Sequence, residues 1–370
     1  MKSIKKSDIV IYATLFLFTV NVSAQDFDEL EFGTDSTFEI LTWNIEWFPK
    51  NGQITVDYVT QIIQALEIDV LAIQEVSDTL LFNQMLGELT GYESYYQSAW
   101  FAGLAYIYKT NAIEINDIYE IYTTAPYWSP FPRSPMVMDM TYLGENIIII
   151  NNHFKCCGDG YLDLDDPDDE ETRRYLASNL LKEYIDTNFS NNNVIVLGDL
   201  NDILTDDTEN NVFQMILNDT ENYLFADMEI AAENSSEWSY PWWPSHIDHI
   251  LITNELFDEF ENESSKVQTI KIDEFMDGGF DEYYENISDH RPVALKLEFI
   301  ALSDGDVNGD GVTDIIDINI LVDFILGNQI PTPSQFAAAD LNQDTIIDVM
   351  DIVLLVDLIL ENTMLPVQSR

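Results

Sequence analysis

Four histidines are all that this chain contains, and each stands in a short polar motif beside an apolar run. His153 lies in NNHFK, His246 and His249 in SHIDHIL, and His290 in SDHRPV. One histidine usually serves the fold, but a whole supply gathered in such motifs points to a site. The carboxylates and amides of TWNIEWF (42–48), AIQEV (72–76) and VIVLGDLND (194–202) stand in the same kind of place. The set suits metal-assisted attack of water on a phosphate ester. Glu75 and Asn44 offer the oxygen ligands that a hard divalent cation prefers. Asp199 can orient and deprotonate the water, and Asn201 can hold a phosphoryl oxygen. A histidine can stabilise charge on the phosphorane or protonate the leaving oxygen, and Asp289, directly before His290, can serve the metal or the imidazole. Other chemistries lack their residues. There is no G-x-S-x-G elbow and no P-loop, and the adjacent Cys156 and Cys157 lack the spacing of zinc ligands.

The elements that must carry these residues follow from periodicity. Strands are expected at 38–43, 69–74, 104–108, 146–151, 194–198, 247–252 and 293–299, and helices at 56–67, 79–88, 171–187 and 208–217. Val59, Ile62, Ile63 and Leu66 repeat at the spacing of one buried helical face. Asn44, Glu75, His153, Asp199 and Asp248 all mark the end of a strand pattern. Asp and Asn are ordinary turn formers. Recurrence of the same device across the chain is what favours one shared site.

The ordered series Asn44, Glu75, His153, Asp199-x-Asn201, Asp248 and Asp289-His290 resembles the endonuclease/exonuclease/phosphatase superfamily, the deoxyribonuclease I-like fold. The resemblance spans about residues 37–300. It implies an α+β, four-layer α/β/β/α sandwich with its site at the top of two packed sheets. It also implies Mg²⁺ (or Mn²⁺) on Asn44 and Glu75, and His153 and His290 at the scissile phosphate. Asp199 would activate water, Asn201 orient the phosphate, and Asp248 and Asp289 complete the pocket and orient its histidines. Arg133 in FPRSP resembles the family's phosphate-contacting arginine, whereas His246 matches no family position, so its loss should be mild. The stretch SAWFAGLAYIYK (98–109) has no acid where the deoxyribonuclease I branch pairs its first histidine with a glutamate. The reading is a phosphodiesterase, first of all an endonuclease on nucleic acid. The alternatives are a phospholipid (sphingomyelinase-like) or sugar-phosphate phosphoesterase and, from another class, a catalytically silent adhesion or scaffold protein. Intact Glu75, Asp199 and His290 argue against silence.

Past Leu302 the texture changes. DVNGDGVTDIIDINILVDFIL (306–326) recurs as DLNQDTIIDVMDIVLLVDLIL (340–360), a period of 34 residues. Each copy sets oxygen-bearing side chains at loop positions 1, 3, 5, 9 and 12, then enters an apolar helix. These are Asp306, Asn308, Asp310, Asp314 and Asp317, then Asp340, Asn342, Asp344, Asp348 and Asp351, a spacing that wraps one Ca²⁺. The segment 304–362 resembles a type I dockerin, which implies a small all-α calcium module and a cohesin-bearing partner on a scaffold or cell surface. Thr345 stands where the calcium loop usually has glycine, and Ile315-Ile316 and Val349-Met350 occupy the positions that help select the cohesin.

Composition bounds the rest. Fifteen Lys and Arg face 67 Asp and Glu, a net charge of −52, which disfavours nonspecific capture of nucleic acid through a basic face. Residues 1–24 read as an export signal, with Lys2, Lys5 and Lys6 before an apolar stretch too short to span a membrane and Val22-Ser23-Ala24 as the cleavage site. A secreted protein without a stable membrane span is expected, with an acidic lead-in at 25–36, a monomeric catalytic domain and a tail at 363–370. Cys156 and Cys157 are expected to form a strained bond between neighbours. In YPWWPSH (240–246) the aromatics could stack on a base or enter lipid, but a packed loop wall is the favoured reading. The acidic run YLDLDDPDDEE (161–171) reads as a solvated loop ahead of a helix more readily than as a further calcium loop.

Overall fold

In the computed structural model the described residues are 27–364, apart from 28, 35, 99, 300, 301, 303 and 332. Residues 1–24, where an export signal is expected, and residues 365–370 of the tail lie outside them. The chain begins with β1 (Phe38–Phe48), α1 (Gln53–Leu66), β2 (Val70–Val76), α2 (Thr79–Leu86), β3 (Tyr92–Tyr95) and β4 (Gly103–Lys109). It continues with β5 (Glu114–Glu120), β6 (Met136–Tyr142), β7 (Glu145–His153), α3 (Glu170–Asn188), β8 (Asn193–Asp199) and α4 (Gln214–Leu217). After β9 (Tyr223–Phe225), α5 (Met228–Ala232), β10 (Asp248–Thr253) and α6 (Phe257–Glu261) it returns through β11 (Lys266–Thr269), α7 (Gly279–Asn286) and β12 (Val293–Leu297). Two six-stranded sheets result. One runs β11-β12-β1-β2-β4-β3 and the other β5-β6-β7-β8-β10-β9, so the chain leaves the first sheet, completes the second and comes back.

The apolar runs are continuous because these strands are buried on both faces. Along β1, Phe38 and Ile40 point to the core between the sheets, while Leu41, Trp43 and Ile45 point outward to α1 and α7. Along β7 and β8, Ile147, Ile149, Ile195 and Leu197 face inward, while Ile148, Ile150, Val194 and Val196 meet Ala177, Leu181 and Ile185 of α3. Period-two alternation therefore separates two helix-on-sheet cores from one sheet-on-sheet core, the four layers α/β/β/α. Polar pins cross the inner core: Gln74 Nε2 donates to Asn151 Oδ1 at 2.8 Å, and the Tyr106 hydroxyl, fully buried, donates to the carbonyls of Met136 and Ile149. Leaving such groups unpaired would be costly, so they hold the two sheets in one register.

Expected and observed elements differ where periodicity is weak. Only Gln214–Leu217 of the expected helix 208–217 is α-helical. Strands β3, β9 and β11 have three or four residues each, too few to show a period. The edge strand β5 has none of its residues fully buried and so lacks an apolar run.

Beyond the sandwich lie α8 (Ile315–Leu326), α9 (Pro333–Ala339) and α10 (Val349–Met364). Their core is small: Val307, Leu321, Phe324, Ala339 and Leu355. No helix among the described residues is long and apolar enough to cross a membrane.

Candidate active site

Strand direction gathers the site. β1 and β2 run parallel, as do β7 and β8, so Asn44, Glu75, His153 and Asp199 all arrive at carboxyl ends. β10 is antiparallel to β8 and places Asp248 directly opposite Asp199, while His153 is the register partner of Asp199 on the other side. Three functional side chains thus stand on three adjacent strands at one level. β12 is antiparallel to β1, so Asp289-His290, just before it, reaches the same end. Gly198 is required here: a Cβ on it would stand 2.0 Å from the Asn152 carbonyl, and its φ is +145°. Bulges aim the side chains. Glu46 and Trp47 at the end of β1 and Glu75 on β2 all have positive φ where the ladder shifts register. The Trp47 amide then donates to Glu75 Oε2 at 3.0 Å.

Asn44 Nδ2 donates to Asp199 Oδ2 at 3.0 Å, a bond between the two sheets. Asp199 Oδ1 accepts the Asn201 amide at 3.1 Å, and Asn201 itself has φ +55°. Burial pushes the Asp199 carboxyl up to about 7, with Asp248 and Glu75 acting in the same direction and His290 and Asn44 against it. The two histidines differ in charge. Burial, with Arg133 and His290 near, holds His153 well below its ordinary value. Its Nε2 faces Asp199 at 3.4 Å and Glu75 at 3.8 Å, while its Nδ1 is buried with no hydrogen-bond partner, so no acid stands behind the ring to hold a second proton. For His290, burial alone would lower the pKa, but Asp248 (2.8 Å from Nδ1), Asp199 and Asp289 hold it at about 10. His290 is a cation at neutral pH and His153 is not.

A cleft of about 580 Å³ opens over this floor, lined by Asn44, Glu75, His153, Asp199, Asn201, Asp289 and His290. Asp248 lies behind His290, fully buried. Arg133 is outside the lining and donates from Nε to the Ala102 carbonyl at 3.2 Å. The donor set fits a hard cation: Glu75, Asn44 and Asp289 are oxygen donors, and Oδ1 of Asp289 and of Asp248 is buried without a partner. Asp199, Asp248 and His290 also form a group whose ligand atoms lie within 4.8 Å of one another. So do Asp227, His246 and His249, but there the nitrogens are already engaged. His246 Nδ1 accepts the Ser239 amide, and His249 bonds Asp227 at 2.6 Å and the Asp202 carbonyl at 2.8 Å. Burial would lower the His249 pKa, but Asp227 raises it, giving a buried ion pair beneath the site. His246 is buried in this network, so its loss should cost stability, a separate matter from the mild effect expected on turnover.

Several residues of the site were not anticipated. Glu46 accepts the Asp289 amide at 2.9 Å and pairs with Lys50; its i+2 spacing from Asn44 on one strand was a usable signal. Arg174 of α3 had no motif to mark it. Buried, it donates to the Lys155 and Cys157 carbonyls and to Asp202, and so ties the loop after His153 to the loop after Asp199. Two expectations are corrected. Cys156 and Cys157 are free thiols on the cleft wall, the Cys157 thiol donating to Cys156 Sγ across 2.9 Å, where a bond between them was expected. Trp242 and Trp243 are not packed away: on the turn Tyr240–Ser245 they are 59% and 77% exposed, Trp242 with one face on Tyr284. In the acidic run, Asp169 caps α3 by accepting the Thr172 amide, and Asp163, Asp165, Asp166 and Asp168 are exposed.

In the tail, both loops fold alike. Asp306 accepts the Gly309 and Gly311 amides, and Asp317 accepts those of Val307, Asn308 and Asp314. Asp340 and Asp351 repeat the pattern on Asp344, Thr345, Asn342 and Asp348. Asn308, Asp310 and Asp314, like Asn342, Asp344 and Asp348, each accept an amide two residues on. Positive φ falls at Gly309 and Gly311 in the first loop, and at Gln343 and Thr345 in the second.

The model of the Endonuclease/Exonuclease/phosphatase family matches residues 41–290, and that of the dockerin type I domain matches 304–360. The chain belongs to the Endonuclease/Exonuclease/phosphatase family, a family of phosphoesterase hydrolases, and carries a C-terminal type I dockerin, a module that implies Ca²⁺ and a cohesin partner. Among solved structures it is similar to TDP2 of D. rerio complexed with single-strand DNA product, at 13% identity and TM-score 0.53, covering 72% of this chain and 100% of that one. The human Nocturnin catalytic domain with bound sulfate gives 16% identity and TM-score 0.51, covering 71% and 94%. A Bacteroides thetaiotaomicron mannosyl-6-phosphatase gives 16% and 0.47, covering 71% and 100%. The first two likenesses show the fold alone. No curated protein matches.

Proposed function

We propose that the chain is an exported, divalent-cation-dependent phosphodiesterase that hydrolyses nucleic acid, tethered by its dockerin to a cohesin-bearing partner. The observation that carries the reading is the floor of the cleft: the buried Asp199 carboxylate stands between His153 Nε2 at 3.4 Å and His290 Nε2 at 3.8 Å, with Asn44, Glu75 and Asp289 lining the same cleft. Asp199 has the basicity of a group that takes a proton from water near neutral pH, and Asn44 and Asn201 fix its two oxygens. Cationic His290, held by Asp248, faces the same oxygen and stabilises charge that develops on the phosphate. Neutral His153 hydrogen-bonds a phosphoryl oxygen from Nε2. Glu75, Asn44 and Asp289 would hold Mg²⁺ or Mn²⁺, which when bound polarises the phosphate and lowers the pKa of water. Arg133 acts on His153 through its charge, and its Nε is held by the Ala102 carbonyl.

The test is hydrolysis by the full-length protein of single-stranded DNA, RNA, sphingomyelin vesicles, mannose 6-phosphate and bis-p-nitrophenyl phosphate, with Mg²⁺ and with chelator. Cleavage of DNA or RNA that is abolished by chelator is expected. Turnover confined to sphingomyelin or the sugar phosphate would move the assignment to the phospholipid or sugar-phosphate class.

A further inference from the structure

Beside His290 the chain builds a column of flat groups that the hydrolytic machinery does not use. The turn Tyr240–Ser245 is closed by two backbone bonds, Tyr240 amide to Ser245 carbonyl at 3.0 Å and the reverse at 3.2 Å. It presents Trp242 on the cleft wall, where the indole stacks on Tyr284 with centroids 4.6 Å apart and planes within 7°. Behind Tyr284, Lys50 Nζ stands 3.7 Å from the ring centroid, and Lys50 is itself anchored to Glu46 of the site. Lys50, Tyr284 and Trp242 thus form one ordered stack. One face of Trp242 is covered, yet the residue remains 59% exposed, so its other face is open. The same turn reaches the reacting centre through Tyr240, whose ring lies 4.8 Å from that of His290.

Building on the nuclease reading above, we propose that the open face of Trp242 stacks the nucleobase next to the scissile phosphate, so that the enzyme selects unpaired nucleotides. Base–aromatic stacking is the sequence-tolerant way to hold a single strand, since every base has a flat face. An indole already held by Tyr284 and Lys50 loses little freedom on binding. The acidic surface acts in the same direction. With a net charge of −52 the protein gains little from long-range attraction to a phosphate chain, so a local contact with one base must supply the hold. A base inside a duplex is stacked on both faces and cannot reach the indole without leaving the helix. Membrane insertion fits less well, because the indole lies flat on Tyr284 and no basic cluster accompanies it to meet anionic lipid.

The experiment uses full-length protein and an oligothymidine with one native phosphodiester among uncleavable methylphosphonate links. It is prepared intact or with a tetrahydrofuran abasic residue on either side of the native bond. The wild type is expected to lose roughly tenfold or more in kcat/KM when one flanking base is removed, chiefly through KM. Trp242→Ala should lower kcat/KM on the intact strand by a similar factor and abolish the discrimination, whereas Trp242→Phe should retain most of it. If Trp242→Ala still discriminates as strongly as the wild type, the stacking proposal falls and the nuclease reading stands. If the wild type cleaves neither this substrate nor any native oligonucleotide in Mg²⁺, both fall. Equal cleavage of intact and abasic strands by the wild type would also overturn the stacking proposal alone.

Discussion

Both halves of this chain collect carboxylates at loops and strand ends, and they hold them by different means. In the sandwich the acids are wired to side chains from distant strands, as Asn44 is to Asp199 and His290 to Asp248. Three large cores stand behind them. In the tail the acids bond almost entirely to backbone amides of their own loop, within ten residues, over a core of five buried apolar residues. A pocket of the first kind is preformed by packing. A loop of the second kind leaves its negative charges uncompensated and depends on a cation to close it. Mutual repulsion is answered in one place by the histidine and the amide donors packed against the acids, and in the other it is left to the Ca²⁺ that the dockerin implies.

The largest test of that contrast is chemical. Asp199→Asn keeps the shape but removes the proton acceptor and leaves one of the two donors, Asn44 or the Asn201 amide, facing an NH2 group, so kcat should fall by roughly 10² to 10⁴ in a protein that is still folded. Turnover near that of the wild type would break the assigned role, and loss of the fold would break the claim of a preformed pocket. Next, chelation of Ca²⁺ from the full-length protein should erase hydrogen-exchange protection across 304–362 and leave the sandwich strands protected. Equal loss in both regions would show that the tail is not the metal-dependent half.

Burial can also cost the sandwich stability, and pH shows how much. Glu39 is fully buried, with Asp69 beside it and Oε2 unpartnered, and burial pushes its pKa up to about 8. The folded protein keeps this proton where the unfolded chain, near 4.5, has lost it. Stability from this group therefore falls as pH rises from about 4.5 to about 8. Glu39→Gln should be more stable than the wild type at pH 8, by up to roughly 4 kcal/mol. The advantage should vanish near pH 4.5, as urea melts at several pH values would show; a constant advantage would contradict the shift. The smallest effect lies in the tail. Thr345 is β-branched at φ +68°, and such backbone costs about 1–2 kcal/mol away from glycine. Thr345→Gly should therefore tighten Ca²⁺ at the second loop about fivefold or more by calorimetric titration, while an unchanged affinity would show that the strain is relieved in the bound loop.

Most of the strands that carry chemistry were legible because burial on both faces writes long apolar runs, and the stops in Asn44, Glu75, His153, Asp199 and Asp248 stand out against them. The edge strand β5 and the short strands β3, β9 and β11 were not, since exposure or brevity leaves no period to read. The two acidic loops of the tail were legible because their repeat is local in sequence; Gln343 at positive φ was not, since only the folded loop shows which position must turn left-handed.

The chain's own order of residues determined the two-part organisation, the candidate site and the repeat of the tail, because short-range spacing and composition encode all three. Tertiary structure alone decided the charge states and the neighbours. It left His153 Nδ1 without a carboxylate partner and set His290 against three carboxylates, so identical side chains are pushed in opposite directions from the ordinary histidine pKa. It sank His246 and His249 onto Asp227, brought Arg174 from α3 to tie two loops, and left Trp242 open on Tyr284. Each of these depends on groups far apart in sequence meeting in a region of low polarity, where distance and burial set the energy and residue type alone does not.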